Sequence, residues 1–164
     1  MIDPFVAGLR ANSCTVEGPL GASDARAAVL RRARGLVAWN GDVPLATPDG
    51  VMTPADPDWA LRLGHADVGI TGARVAIAEP SALALAAGPG SPRATSLVPP
   101  AHVCVVRVAD IVASLADAFD RIAADDLPSA LTWISGPSRS ADLEMVLTLG
   151  VHGPRTLDVV LLDA

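Results

Sequence analysis

Apolar and polar positions follow two spacings along the chain, and those spacings assign most of its elements. Ser13 to Glu17 reads as a short strand, with Gly18, Pro19 and Gly21 marking the turn behind it. Ser23 can cap a helix running to about Arg34, which Gly35 ends. Leu36 to Trp39 is a second short strand, followed by the turn Asn40-Gly41-Asp42. Asp56-Pro57 opens a short helix to about Leu63, because proline suits a first turn. Asp67 to Thr71, Val75 to Ala78 and Ala82 to Ala87 are short apolar segments separated by Gly72 and by Glu79-Pro80, and they read as strands. Gly88 to Pro100 holds four prolines and two glycines, which predicts an ordered loop or lid.

The last third is the most regular. His102 to Val108 is almost continuously apolar, the mark of a strand buried on both faces. Asp110 is placed to cap a helix in which Ile111, Leu115, Phe119 and Ile122 share one face. Ala130 to Ile134 is a strand. Ser140 to Leu149 is a helix with Leu143, Val146 and Leu147 on one side, and Gly150 can end it in a left-handed conformation. Leu157 to Leu162 is the final strand. Strand, helix, strand, helix, strand at this spacing predicts parallel pairing with right-handed crossovers. The fold class is α/β, a mainly parallel sheet flanked by helices.

Composition narrows the function. The 164 residues suit one domain, 1–164, and no repeat, charge run or linker divides them. Hydrophobic residues make up 51%, so a core can be buried, yet the longest apolar runs fall far short of the roughly 18–20 residues of a membrane span. The N-terminus lacks a positive stretch ahead of an apolar core, so no signal peptide is expected and the chain reads as soluble and cytoplasmic. A net charge of −6 with 3% aromatics argues against nucleic acid as a partner. All twelve basic residues are arginines. Without lysine there is no Schiff-base catalysis and no P-loop, and anions must be held by arginine or by backbone N–H groups. The four arginines of the Ser23–Arg34 helix read as a solvated face.

Cys14 and Cys104 are lone thiols in apolar sequence, which predicts small core residues in a reducing compartment. Two thiols cannot by themselves ligate an iron–sulfur cluster or a structural zinc. His65, His102 and His152 are widely separated and lack metal-ligand spacing, and the chain has no dinucleotide fingerprint and no nucleophile elbow. No metal and no cofactor is expected.

Candidate chemistry gathers at Ser135-Gly136-Pro137-Ser138-Arg139-Ser140-Ala141-Asp142, which joins a strand to the predicted helix. A helix N-terminus at the carboxyl end of a parallel strand offers free N–H groups and a partial positive charge. Gly136 allows close approach to the backbone, Ser138 and Ser140 supply hydroxyls, and Arg139 supplies a planar charge suited to carboxylate or phosphate. The guest is a small anion; the plainer alternative is that the serines only cap the helix and Arg139 faces water. His152 in Val151-His152-Gly153-Pro154 can donate a proton or orient a ligand, or be an ordinary turn histidine. Glu79 lies between apolar stretches, so it is either a buried carboxylate able to act as base or nucleophile, or the tip of a turn in solvent. His102 reads as a core or edge histidine.

Several blocks now fall into a recognisable order. Ala66-Asp67-Val68-Gly69-Ile70-Thr71-Gly72-Ala73, Ala76-Ile77-Ala78-Glu79, Ser96-Leu97-Val98-Pro99-Pro100-Ala101-His102, Ser135 to Glu144 and Gly150 to Pro154 resemble the LUD domain of the lactate utilization protein C (LutC/YkgG) family. The resemblance is strong over 65–164 and weak over 1–64. It implies a fold like that of the NagB/RpiA/CoA-transferase group. It implies an accessory role in bacterial oxidation of L-lactate, beside partner proteins that carry iron–sulfur clusters. The candidate anion- or substrate-binding residues are Thr71, Gly72, Gly136, Ser138, Arg139, Ser140, His152 and Gly153, and Glu79 is the catalytic candidate. One departure bears on Glu79: the family usually continues Thr-Gly-Thr or Thr-Gly-Ser, whereas this chain has Pro80-Ser81-Ala82, losing a hydroxyl and a backbone donor. The alternative function is a stand-alone enzyme on acyl or phosphate esters that uses Glu79, by fold analogy alone.

Overall fold

The computed structural model describes residues 1–125, 127–137, 139–141, 147–149 and 153–163, with 139–141 and 147–149 described by their backbone. In chain order the elements are α1 (Ile2–Ala11), β1 (Thr15–Leu20), α2 (Ala22–Arg32), β2 (Val37–Trp39), α3 (Trp59–Arg62), β3 (Val68–Gly72), β4 (Val75–Ile77), β5 (Ala82–Ala87), α4 (Ala94–Leu97), β6 (Ala101–Arg107), β7 (Ile111–Val112), α5 (Leu115–Ala123), β8 (Ala130–Ile134), β9 (Arg139–Ala141), β10 (Leu147–Leu149) and β11 (Thr156–Leu162).

Five strands form an all-parallel sheet in the order β1-β11-β6-β3-β2. The two longest strands lie at its heart, with β6 and β11 in register from Ala101 against Thr156 to Arg107 against Leu162. Their apolar runs are buried on both faces because each face has its own cover. Val103, Val105, Val160 and Leu162 pack with Ala25, Ala28 and Val29 of α2. Cys104, Val106, Val159 and Leu161 pack with Phe5 and Leu9 of α1 and with Leu83 and Leu85 of a second sheet. That sheet runs β7-β4-β5-β8, with β5 antiparallel to both neighbours. Ala118 and Ile122 of α5 cover its other face over Val75, Ile77 and Ala84. The architecture is α/β, mainly parallel and flanked by helices.

Four local expectations change. Asp110 does not cap α5: Ile111 belongs to β7, and Ser114 is the cap, accepting from Asp117 N while Asp117 Oδ2 accepts from Ser114 N at 2.9 Å. This reciprocal pair satisfies two free donors of the first turn, which a lone Asp110 four residues upstream has no geometry to do. The loop at 88–100 contains one short helix, α4. Ala130–Ile134 is a strand but leaves the parallel sheet to pair antiparallel with β5, so it is not part of a parallel crossover. The helix expected over Ser140–Leu149 is also absent from its described portions, since 139–141 and 147–149 pair as antiparallel strands β9 and β10. Leu147-Thr148-Leu149 satisfies period two as readily as a helical face, and over so few residues periodicity cannot separate them. Residues 142–146 and Gly150 lie outside the described residues.

Helix α1 has no counterpart in the pattern reading. Pro4 and Gly8 interrupt it locally, but Phe5 and Leu9 are fully buried, and that tertiary contact holds the helix.

Candidate functional site

Segments distant in sequence meet at the amino ends of β6 and β11. Ser96 and Leu97 come from α4, just ahead of β6; Thr132 to Pro137 run from β8 into the turn beyond it; Gly153 and Pro154 lead into β11. With Asn12 at the end of α1 they line an open cleft of about 430 Å³. Each wall has a physical anchor. The Thr95 carbonyl occupies the space where a side chain on Gly69 would stand, so α4 rests directly on β3. Arg155 N donates to Pro100 O at 2.8 Å, tying the approach to β11 to the approach to β6. The Cys14 thiol lies 3.8 Å from the Ser135 carbonyl. The Trp133 ring meets Phe119 edge-on, centroids 5.8 Å apart, which fixes α5 against β8.

Gly136 serves a different neighbour from the one its sequence context implies. A Cβ there would meet the Asn12 carbonyl at 2.8 Å, so the missing side chain admits α1 rather than a ligand. The helix N-terminus expected beside it is not seen among the described residues, where Arg139 and Ser140 belong to strand β9. The cleft also sits at the amino ends of the parallel strands, and the strand it adjoins, β8, belongs to the antiparallel sheet. The polar residues Asn12, Ser96, Thr132 and Ser135 line it beside Leu97, Trp133 and Ile134, the Ser96 hydroxyl itself donating to the Arg93 carbonyl at 2.9 Å. Such a lining suits a small molecule with one polar and one apolar side.

Of the site residues expected from sequence, Gly136 and Gly153 come together in this cleft. Arg139 and Ser140 follow Pro137 along β9; Ser138 and His152 lie outside the described residues. Thr71 and Gly72 are elsewhere, at the end of β3. Thr71 Oγ1 is 2.9 Å from His102 Nε2 in the buried interior, and Gly72 N donates to Asp42 Oδ1 at 3.0 Å. Burial lowers the His102 pKa to about 4, so the ring is neutral, and its Nδ1 has no hydrogen-bond partner among the described residues. Burial likewise pushes the Cys104 thiol up to about 12, which makes it the inert core residue expected. Burial also raises the Asp42 carboxyl, with the Gly72 amide pulling the other way. Sequence reading sees Asp42 only as a turn residue, and nothing local marks it; β2 and β3 bring it to Gly72.

Glu79 resolves to the second of its two readings. It lies exposed in the turn between β4 and β5. The antiparallel hairpin puts the apolar stretches on either side of it into the sheet and leaves the tip outside, so the buried surroundings required of a base or nucleophile are missing. Among the described residues no cluster of three His, Cys, Asp or Glu side chains is placed to hold a metal. No helix of the described residues is long and apolar enough to cross a membrane.

A doubly layered α/β protein with its motif-bearing cleft at this end has a close structural counterpart. The crystal structure of a DUF162 family protein from Deinococcus radiodurans superposes with a TM-score of 0.76 at 25% identity, covering 98% of this chain and 95% of that one. The chain belongs to the LUD domain family, whose model matches residues 24–162. Its relatives include proteins named lactate utilization protein C. That of Deinococcus radiodurans is 42% identical over 113 residues, covering 67% of this chain and 53% of the relative. That of Exiguobacterium sp. is 36% identical over 118 residues, covering 69% and 50%. The chain spans about half the length of these curated relatives.

Proposed function

We propose that this protein is an accessory component of an L-lactate utilization system, acting in the cytoplasm beside iron–sulfur partner proteins and holding a small anion at the cleft between α4, β8 and β11. The names of its relatives support the system. The observation that carries the site is convergence: Ser96-Leu97, Ser135-Gly136-Pro137 and Gly153-Pro154, three separate blocks of the family pattern, line one cleft. Its described lining combines polar residues, Asn12, Thr132 and Ser135, with apolar ones, Leu97, Trp133 and Ile134, a composition that suits a small hydroxy acid. Charge is assigned to Arg139, two residues beyond Pro137 along the same segment. Ser138, Ser140 and His152 belong to the same assignment by their positions in the motif blocks.

Two experiments test this reading. Deleting the gene abolishes growth of its source strain on L-lactate as sole carbon source and leaves growth on pyruvate intact; unchanged growth on L-lactate removes the role. A thermal-shift screen with L-lactate and pyruvate reads the site directly. A ligand at 100 times its dissociation constant adds about 2.7 kcal/mol of stability. The shift is lost in Arg139→Ala; a shift retained in that variant removes Arg139 from the site.

A further inference from the structure

A second depression, of about 370 Å³, opens at the opposite end of the parallel sheet. One wall is the carboxyl ends of β3 and β6, carrying Arg74 and Arg107; the other is β5 with the turn after it, and α5, carrying Arg121. The small side chains of Ala73, Ala86 and Ala87 also line it. In open α/β sheets this is the end at which ligands bind, outside the carboxyl termini of the strands.

The charges there are unequally matched. Arg74 pairs with Asp125, and Arg121 pairs with Asp110 and donates to the Ala109 carbonyl at 2.7 Å. Among the described residues Arg107 has no such hydrogen-bonded partner. Its ion pair among the described residues is again with Asp110, at 3.9 Å, beyond hydrogen-bond reach, and its side chain is half exposed. Two guanidiniums thus share the Asp110 carboxylate, and that carboxylate is itself turned toward Arg121. Asp42 also lines the depression, its Oδ1 accepting from the Gly72 amide at 3.0 Å and its carboxyl pushed up by burial. Arg107, with no hydrogen-bond acceptor among the described residues, therefore presents a planar fork of donors to an open cavity. A guanidinium fork in that state matches the two oxygens of a carboxylate or phosphate.

We infer that this depression is an oxyanion site, separate from the cleft of the proposed function, in which Arg107 grips a carboxylate or phosphate group of a small ligand and Arg74 flanks it. The measurement is isothermal titration calorimetry of the whole chain with inorganic phosphate and, separately, with acetate, at low ionic strength. The two titrations tell the phosphate source from the carboxylate source. Saturable binding of at least one is expected, with affinity falling about tenfold in Arg107→Gln and by a smaller factor in Arg74→Gln. Arg139→Ala, in the segment assigned to the proposed cleft, leaves the Arg107-dependent part of that affinity unchanged, which separates this site from the proposed cleft. Binding by neither anion, equal affinity in wild type and Arg107→Gln, or an equal loss in Arg107→Gln and Arg139→Ala overturns the assignment. Arg107→Lys keeps the charge and loses the fork, so full affinity in that variant overturns the bidentate grip even if the first variant is poorly folded.

Discussion

Thr71 Oγ1 and His102 Nε2 lie 2.9 Å apart with both side chains buried, bridging β3 and β6 through the interior of the protein. The contact satisfies one ring nitrogen and leaves Nδ1 with no partner among the described residues. Protonating this ring would place an uncompensated charge in the core, and burial accordingly lowers its pKa to about 4 from an ordinary 6.5.

That shift makes stability depend on pH with a definite sign. Between about pH 4 and 6.5 the unfolded chain takes up a proton on His102 that the folded chain refuses, so folding weakens as pH falls through this window. A gap of this width is worth about 3 kcal/mol at full extent. Asp42, whose carboxyl is raised by burial, acts in the opposite direction, so the His102 contribution is read as a difference between proteins. In urea unfolding at pH 7 and pH 4.5, wild type loses roughly 2–3 kcal/mol more than His102→Gln. Parallel losses in the two proteins would contradict the neutral buried ring.

Helix α1 supplies the second prediction. Phe5 and Leu9 are one turn apart and both 0% exposed, packed on Val16, Cys104 and Leu161. Phe5→Ala removes a large buried ring and leaves a cavity, at a cost of about 3–5 kcal/mol. For a domain of this size that corresponds to a fall of roughly 10 °C in Tm. Scanning calorimetry checks it, and a loss under about 1 kcal/mol would show that α1 is not held by its ring.

This helix also marks how far a one-dimensional pattern reaches. Ala82–Ala87 and Ala130–Ile134 are strands at the limits the apolar runs predict, and β6 and β11 shift by a residue or so, because long apolar runs carry their own boundary signals. Helix α1 carries no such signal, since Phe5 and Leu9 become its reason only once β1, β6 and β11 are assembled. The destination of β8 is hidden for the same reason: a strand's sequence does not say which sheet it joins. The site divides in the same way. Gly136, Gly153 and Ser96-Leu97 stand out as motif blocks, whereas Asn12 is placed by the packing of α1, and Asp42 and Arg107 by strand order.

The relation between Gly136 and Asn12 yields the last prediction. The cleft exists in its present form because the turn after β8 passes close beneath the end of α1, and the room for that passage is the missing Cβ of Gly136, with the Asn12 carbonyl 2.8 Å from where it would be. The obstructing atom is backbone, which cannot rotate aside as a side chain does. Gly136→Ala therefore either displaces α1 or moves the turn, at a cost of about 1–3 kcal/mol. Gly64→Ala is the matched control: nothing lies within 4 Å of its Cβ position, and the substitution leaves stability within about 1 kcal/mol of wild type or slightly raises it. Equilibrium urea unfolding of the pair measures the difference. If the two alanine variants unfold at the same urea concentration, α1 and the Ser135–Pro137 turn are not in contact, and the cleft between them has a different shape from the one described.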